Sequence, residues 1–190
     1  MDTTDEDIKF DEFGVCDHCY SFDSITKPLW DSQLNNNDSF FKIINSIKSS
    51  KKNSYDSILG LSGGVDSSYM LHYVITKLGL NPLVFHVDGG WNSDISTTNI
   101  QRLTQKLNVD LFTEVINWEE MRKFQLAFFK SGLPHIDLPQ DHAFVATLYK
   151  FAAKNGIKWI LNGGNFSTEA VRNPINWGWY GTDMKHIRAI

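Results

Sequence analysis

The chain has 190 residues, of which 42% are hydrophobic, 13% aromatic and 21% charged, a balance that excludes wholesale disorder and allows one main domain with an aromatic-rich core. Its formal charge of -4, with basic residues scattered except for a short cluster over 48–52, excludes a large electrostatic footprint for nucleic acid. The opening MDTTDEDIKF is acidic where a secretory signal is basic and then apolar, and no apolar run approaches the roughly 20 residues of a membrane span, so a cytoplasmic protein is expected.

Residues 1–54 are acidic and rich in Asn, Ser and Asp. They are expected to form a small N-terminal appendage with one helix over 38–47, set between the polar connectors NNNDS and KSSKKN. The only two cysteines, Cys16 and Cys19 in GVCDHCY, have a spacing that suits metal binding or redox chemistry better than a structural disulfide. A tetrahedral zinc site takes four ligands, and His18 between the cysteines is poorly placed to complete one. Two readings stand open: Cys16 and Cys19 as half of a Zn²⁺ site, or a metal-free, solvent-exposed knuckle.

From Tyr55 apolar runs of strand length alternate with segments of helical period. YDSILGL, NPLVFHVD, VDLFTEVI and IKWILNG read as four strands. Helices are expected over 66–78, 93–107, 118–130 and 141–154. The alternation predicts an α/β domain over 55–190, a parallel, doubly wound, Rossmann-like sheet covered by helices. Gly60, Asp88 and Gly163 fall near carboxyl ends of strands, the rim where open α/β sheets bind ligands.

The first strand runs into SGGVDSS. Gly63 and Gly64 remove side-chain bulk, so backbone N–H groups can approach an anion, and the helix that follows adds the positive end of its dipole. Ser62, Ser67 and Ser68 supply hydroxyls. Asp66 has two readings: a ligand to a Mg²⁺ that bridges to phosphate, or a helix cap. The loop is not a Walker A motif, lacking the four-residue gap between glycines and the Gly-Lys-Ser/Thr ending, and it is not the dinucleotide fingerprint.

SGGVDSS in this strand-turn-helix setting resembles the PP-loop of the ATP pyrophosphatases, which split ATP into AMP and diphosphate. The resemblance implies that Ser62, Gly63, Gly64, Val65, Asp66, Ser67 and Ser68 cradle the leaving diphosphate, and that Phe85, His86 and Val87 seat adenine and ribose, largely through backbone contacts. Over nearly the whole chain, the blocks DIKFDEFGVCDHCY, NPLVFHVDGGWNS, PQDHAFVATLYKFA, LNGGNFSTE and NPINWGWYGTDMKHIRAI, in that order, are similar to the N-acetyl sugar amidotransferases of surface-polysaccharide biosynthesis.

That family resemblance implies ATP and Mg²⁺ as cofactors and conversion of an acetamido group on a sugar to an acetamidino group. The acetamido oxygen is adenylated and ammonia then displaces AMP. Asp66, Ser67 and Asp141 are the residues expected to take part in the chemistry. Both cysteines sit in one turn, away from any glutaminase pattern, so ammonia is expected from a separate glutaminase through a partner subunit. Members of the family carry an earlier Cys-x-x-Cys upstream and continue beyond HIRAI, which implies that this chain is the front part of a longer protein.

Other rim residues carry paired readings. Asp88, Gly89, Gly90, Trp91 and Asn92 form either a plain turn or a ribose and sugar contact. Gln140, Asp141 and His142 precede a helix, where Asp141 either caps it or serves a substrate or ammonia site. Gly163, Gly164, Asn165 and Glu169 either close the nucleotide site or make an ordinary loop. His72 packs or meets solvent, His135 and His186 take no role, and the rings of NWGWYG suit packing better than sugar stacking. Two functions compete with the sugar amidotransferase: a PP-loop tRNA-modifying thiolase or ligase, disfavoured by the net negative charge, and a nucleotide-binding subunit without turnover.

Overall fold

The computed structural model describes residues 2–34, 37–51, 54–133, 136–164 and 184–190. Four strands, β1 (Ser57–Gly60), β2 (Pro82–Asp88), β3 (Leu111–Val115) and β4 (Ile160–Leu161), form one sheet in the order β3-β2-β1-β4, with every neighbouring pair parallel. Eight α-helices lie among the described residues: α1 (Asp17–Ser21), α2 (Lys27–Leu34), α3 (Asn37–Ser49), α4 (Val65–Thr76), α5 (Asp94–Leu107), α6 (Trp118–Ser131), α7 (Leu138–Lys154) and α8 (Met184–Ala189). The expected α/β class is the observed one, and the four strand-like runs are the four strands.

Alternation along the strands explains the layering. Ile58 and Leu59, like Val84 and Phe85, point to opposite faces. On one face Leu59 and Val84 meet Leu71 and Val74 of α4 and Ile100 of α5 in a single cluster. On the other, Ile58, Phe85 and Val87 pack with Ala152, Phe144, Leu148 and Phe151 of α7. Helices therefore cover both faces, and strands buried on both sides read as continuous apolar runs. Burying each such side chain contributes roughly 1.5–3 kcal/mol, so removing Leu59, which is fully buried, would cost about 2–5 kcal/mol.

Helix ends follow local chemistry. Ser93 caps α5 by accepting the Ser96 N–H, and Asn108 closes the same helix in the left-handed region. Asn117 caps α6 by accepting from Glu119 and Glu120. The helix expected from residue 141 begins at Leu138, because Pro139 in the first turn needs no N–H partner and its fixed φ suits a helix start.

The N-terminal segment holds more structure than its composition suggests. A short hairpin-like pairing of Phe10 with Cys16 leads into α1, which runs through a π-helical stretch (Phe22–Thr26) into α2. No residue of α1 is buried, and Tyr20, Phe22, Ile25 and Leu29 are exposed, so no amphipathic stripe marked these turns. α3 spans Asn37–Ser49 and sends Ile44 and Ile47 into the same core as β1 and α4. No helix among the described residues is long and apolar enough to cross a membrane.

Candidate functional site

The chain runs from β1 to β2 and β3 on one side, then returns to β4 on the other side of β1, so the order reverses beside β1. Open α/β sheets bind ligands at such a reversal, outside the carboxyl ends of the strands. The loop that leaves β1 there is residues 61–64, and its geometry is tightly determined. Gly63 has φ +79°, and a Cβ on it would lie 2.4 Å from the backbone oxygen of Ser96 at the start of α5. The Asn99 side chain donates to the Gly63 carbonyl at 3.1 Å. α5 is thus fastened to the loop at a point only glycine can occupy.

Ser62 and Ser67 face each other across the turn. The Ser62 N–H donates to Ser67 Oγ at 3.2 Å, and the two hydroxyls lie 3.0 Å apart. Gly64 occupies the N-cap of α4 with no side-chain cap, so the first-turn amides of that helix are not met by a capping residue. Asp66 lies in the first turn rather than at the cap, which removes its capping reading. It is exposed, precedes Ser67 in the chain and lines neither cavity beside the loop; a hard carboxylate is the donor type that Mg²⁺ takes, which commonly binds one or two carboxylates and completes its shell with phosphate and water. Gly163, just past β4, stands against this turn: a Cβ there would be 3.4 Å from the Ser67 nitrogen.

A cavity of about 430 Å³ opens on one side of the loop. Gly60, Leu61 and Ser62 form one wall and Phe85, His86 and Val87 the floor. Gly89, Trp91 and Asn92 form the lip, Ser93 and Ser96 the approach to α5, and Gln140, Phe144, Val145 and Leu148 of α7 the roof. The lining is mostly apolar and aromatic with a few polar groups, as suits a base and sugar. Trp91 is held by a hydrogen bond from its Nε1 to Gln125 Oε1 at 3.1 Å and by edge contact with Trp118.

His86 is more than a backbone platform. It is buried, with Nδ1 2.8 Å from the Leu61 carbonyl and Nε2 3.1 Å from Asn92 Nδ2. A carbonyl only accepts, so Nδ1 carries the hydrogen and Nε2 accepts from the Asn92 amide. The neutral ring ties the end of β1 to the lip of the cavity.

The remaining candidates divide. Asp88 does not line the cavity; its Oδ1 accepts the Gly90 N–H at 2.8 Å and shapes the turn. Gln140 reaches the cavity and its neighbours Asp141 and His142 do not. Asp141 is exposed in the first turn of α7; loss of water around its carboxyl, and then the Asp137 charge, raise its pKa above the ordinary carboxylate value. Gly164 donates to Asn162 Oδ1 at 2.7 Å. Asn165, Glu169, His135, the rings of NWGWYG and the side chain of His186 lie outside the described residues. Phe144, Val145 and Leu148 were not singled out in the sequence, where they read as ordinary core positions of a helix. The signal available was their crowding just after Gln140, at the amino end of a helix that opens on the rim.

Among the described residues nothing completes a zinc site around the two cysteines. Cys16 Sγ and Cys19 Sγ are 3.5 Å apart as free thiols, and no group of three metal-binding side chains occurs among the described residues. His18 is engaged with Asp5, 2.7 Å from its Oδ2. The Cys19 backbone N–H holds the Cys16 thiol below its ordinary pKa, while the hydrogen bond with Cys16 pushes Cys19 up.

No family model matches the chain, and no curated protein matches it. Solved structures do. The glutamine-dependent NAD+ synthetase from Acinetobacter baumannii, in complex with ADP, matches at TM-score 0.51 and 23% identity over 60% of this chain and 22% of that one. NMN synthetase from Francisella tularensis matches at TM-score 0.51 and 22% identity, over 66% of this chain and 52% of that one. An NH3-dependent NAD synthetase from Campylobacter jejuni subsp. jejuni NCTC 11168, in complex with nitrate, matches at 0.48 and 20%, covering 66% and 55%. The chain spans about half or less of these proteins. At this identity the two matches above 0.5 show a shared fold.

Proposed function

We propose that this chain binds ATP at the residue 62–68 loop and the adjoining cavity, and that it is an amidating enzyme that releases AMP and diphosphate. One observation carries the reading: a glycine-rich turn locked against α5 joins an apolar, aromatic-lipped cavity to an uncapped helix amino terminus, on the rim of a parallel sheet. Adenine and ribose occupy the cavity between Trp91 and Phe144, and the polyphosphate lies over the first-turn amides of α4. The fold shared with NAD and NMN synthetases supports the same reading, because those proteins are synthetases and one was solved with ADP.

The substrate reading is an N-acetyl sugar, supported by the sequence resemblance. The acetamido oxygen attacks the α-phosphorus of ATP, the bond from that phosphorus to the bridging oxygen breaks, and diphosphate leaves. Ammonia then adds to the imidate carbon, AMP leaves with the oxygen, and loss of a proton gives the acetamidino group. An amide oxygen is a weak nucleophile and a poor leaving group, so adenylation addresses the difficult step. The chain's own contribution is to hold the departing diphosphate with fixed N–H groups and the Ser62 and Ser67 hydroxyls, without reorganisation as charge develops. Asp66 would hold Mg²⁺, which neutralises polyphosphate charge when bound. A separate glutaminase supplies the ammonia, and the protein works in the cytoplasm.

The test is product analysis with ATP, Mg²⁺, ammonium and a panel of N-acetyl sugars. AMP and diphosphate that form only when sugar and ammonium are both present, with sugar oxygen replaced by NH, support the reading. Diphosphate release that requires tRNA instead, or nucleotide binding without turnover in any mixture, contradicts it.

A further inference from the structure

β3 differs from the other strands in what it leaves uncovered. β2 is buried at six of its seven residues, whereas all five residues of β3 are exposed, among them Leu111 at 38%, Phe112 at 39% and Val115 at 70%. β3 stands at the end of the order β3-β2-β1-β4, so its outer edge meets no strand among the described residues. The Asp110 carbonyl and the Ile116 N–H both bond to β2. Backbone groups alternate in direction along a strand, so Phe112 and Glu114 also turn theirs toward β2, while Leu111, Thr113 and Val115 turn theirs outward. An edge with three large apolar side chains and neither proline nor lysine is a template for another strand.

The side chains say which strand fits. Phe112 and Glu114 lie on the α7 side, where they line a groove of about 320 Å³ with Thr147, Lys150, Phe151 and Lys154. Phe112 stands against Phe151, their ring centroids 4.3 Å apart. Lys150 and Lys154, one turn apart on α7, are exposed, and neither they nor Glu114 form an ion pair among the described residues. A second β3 laid antiparallel about a two-fold axis at Thr113 matches all of this. Leu111 opposes the second copy's Val115, Thr113 opposes its own counterpart, and the outward backbone groups of all three residues pair. Phe112 then opposes the second copy's Glu114 in the closer, non-hydrogen-bonded kind of pair, which brings that carboxylate to Lys150 and Lys154. Moving the axis to Glu114 sets two Glu114 carboxylates against each other, and moving it to Phe112 sets Asp110 against Glu114. Only the axis at Thr113 pairs the whole strand and keeps like charges apart.

We propose that β3 is a self-association edge: two copies of this chain join their β3 strands antiparallel about Thr113, with Glu114 of each copy seated beside Lys150 and Lys154 of the other. The contact is small and partly ionic, so the dimer is reversible and weakened by salt. Antiparallel joining sends the carboxyl ends of the two sheets in opposite directions, so each candidate nucleotide site keeps its own rim. Association therefore does not depend on the nucleotide reading.

Sedimentation velocity of the full chain over a range of concentrations tests this. The wild type passes from monomer to dimer as concentration rises, and added salt moves the transition to higher concentration. The Thr113 N–H points outward, so T113P spares the ladder with β2 and removes only the outer donor; the variant stays folded and loses the dimer. E114K alone and K150E/K154E alone lose it too, and a mixture of these two restores it, because each copy supplies the charge that the other lacks. A wild type that stays monomeric throughout overturns the proposal, as does a dimer that T113P and E114K leave unweakened. Thermal unfolding separates loss of the contact from loss of the fold. Should T113P unfold, the charge-exchanged pair decides alone: association restored in the mixture supports the edge, and a mixture that associates no better than its components contradicts it.

Discussion

A Cβ placed on Gly63 would lie 2.4 Å from the carbonyl oxygen of Ser96. The clash is with backbone, at the amino end of a helix, so no side chain can swing away to relieve it. Gly63 is also in the left-handed region, with φ +79°, which adds roughly 1–2 kcal/mol of strain for an alanine. Gly64 differs: its φ is -76°, and its nearest neighbour for an added Cβ is the Ser62 hydroxyl at 3.4 Å. G63A is expected to lower stability by about 2–4 kcal/mol through strain and displacement of α5, and to abolish nucleotide binding. G64A stays folded with a melting temperature near that of the wild type. Thermal unfolding of the two variants side by side checks this, and equal losses would contradict the assigned roles.

His86 links the end of β1 to Asn92 through both ring nitrogens. Replacing it with leucine keeps an apolar body but leaves the buried Leu61 carbonyl without its donor, a cost of about 1–3 kcal/mol. The expected ring state is neutral with the hydrogen on Nδ1, and long-range ¹⁵N–¹H correlation spectra read that tautomer directly. A spectrum showing the hydrogen on Nε2 in the native protein would contradict the bridge.

Trp91 stands at the lip of the nucleoside cavity, 62% exposed yet oriented by Gln125 and Trp118. An exposed indole held in place is a ready stacking surface. W91A is expected to weaken AMP binding about 5- to 30-fold, a loss of ~1–2 kcal/mol, with little change in melting temperature. Adding AMP should also change the tryptophan emission of the wild type. Unchanged affinity in W91A would place the base elsewhere.

The parallel sheet was legible because strands buried on both faces appear as unbroken apolar runs, and SGGVDSS was legible because glycine, hydroxyl and helix start carry a physical meaning together. The strand at 157–163 was less so: YDSILGL and IKWILNG look alike, yet β4 spans only Ile160–Leu161, since its apolar content exceeds its pairing with β1. α1 and α2 were hidden because they bury too little to show periodicity. The roof of the cavity was hidden for the opposite reason. Phe144, Val145 and Leu148 have the spacing of any core-facing helix, and only the packing of α7 over β2 brings them to the rim.

Asp141 permits a test of sign. Its folded-state pKa is raised, first by loss of hydration and then by the neighbouring Asp137 charge. A carboxyl of this kind favours the folded state when protonated, so its contribution is present below the unfolded pKa of about 4 and is lost as pH rises through the folded value. D141N removes the penalty of holding that charge. Its melting temperature is expected to exceed the wild type's slightly at pH 7 and to converge on it near pH 3. A deficit at pH 7 would show that the carboxylate is engaged in a favourable contact.

The most direct measurement is the structure of the chain with a non-hydrolysable ATP analogue and Mg²⁺. The account predicts adenine in the cavity between Trp91 and Phe144, with phosphate oxygens within hydrogen-bond distance of the amides in the first turn of α4 and metal at Asp66. Nucleotide bound elsewhere, or a polyphosphate that makes no contact with residues 62–68, would contradict it.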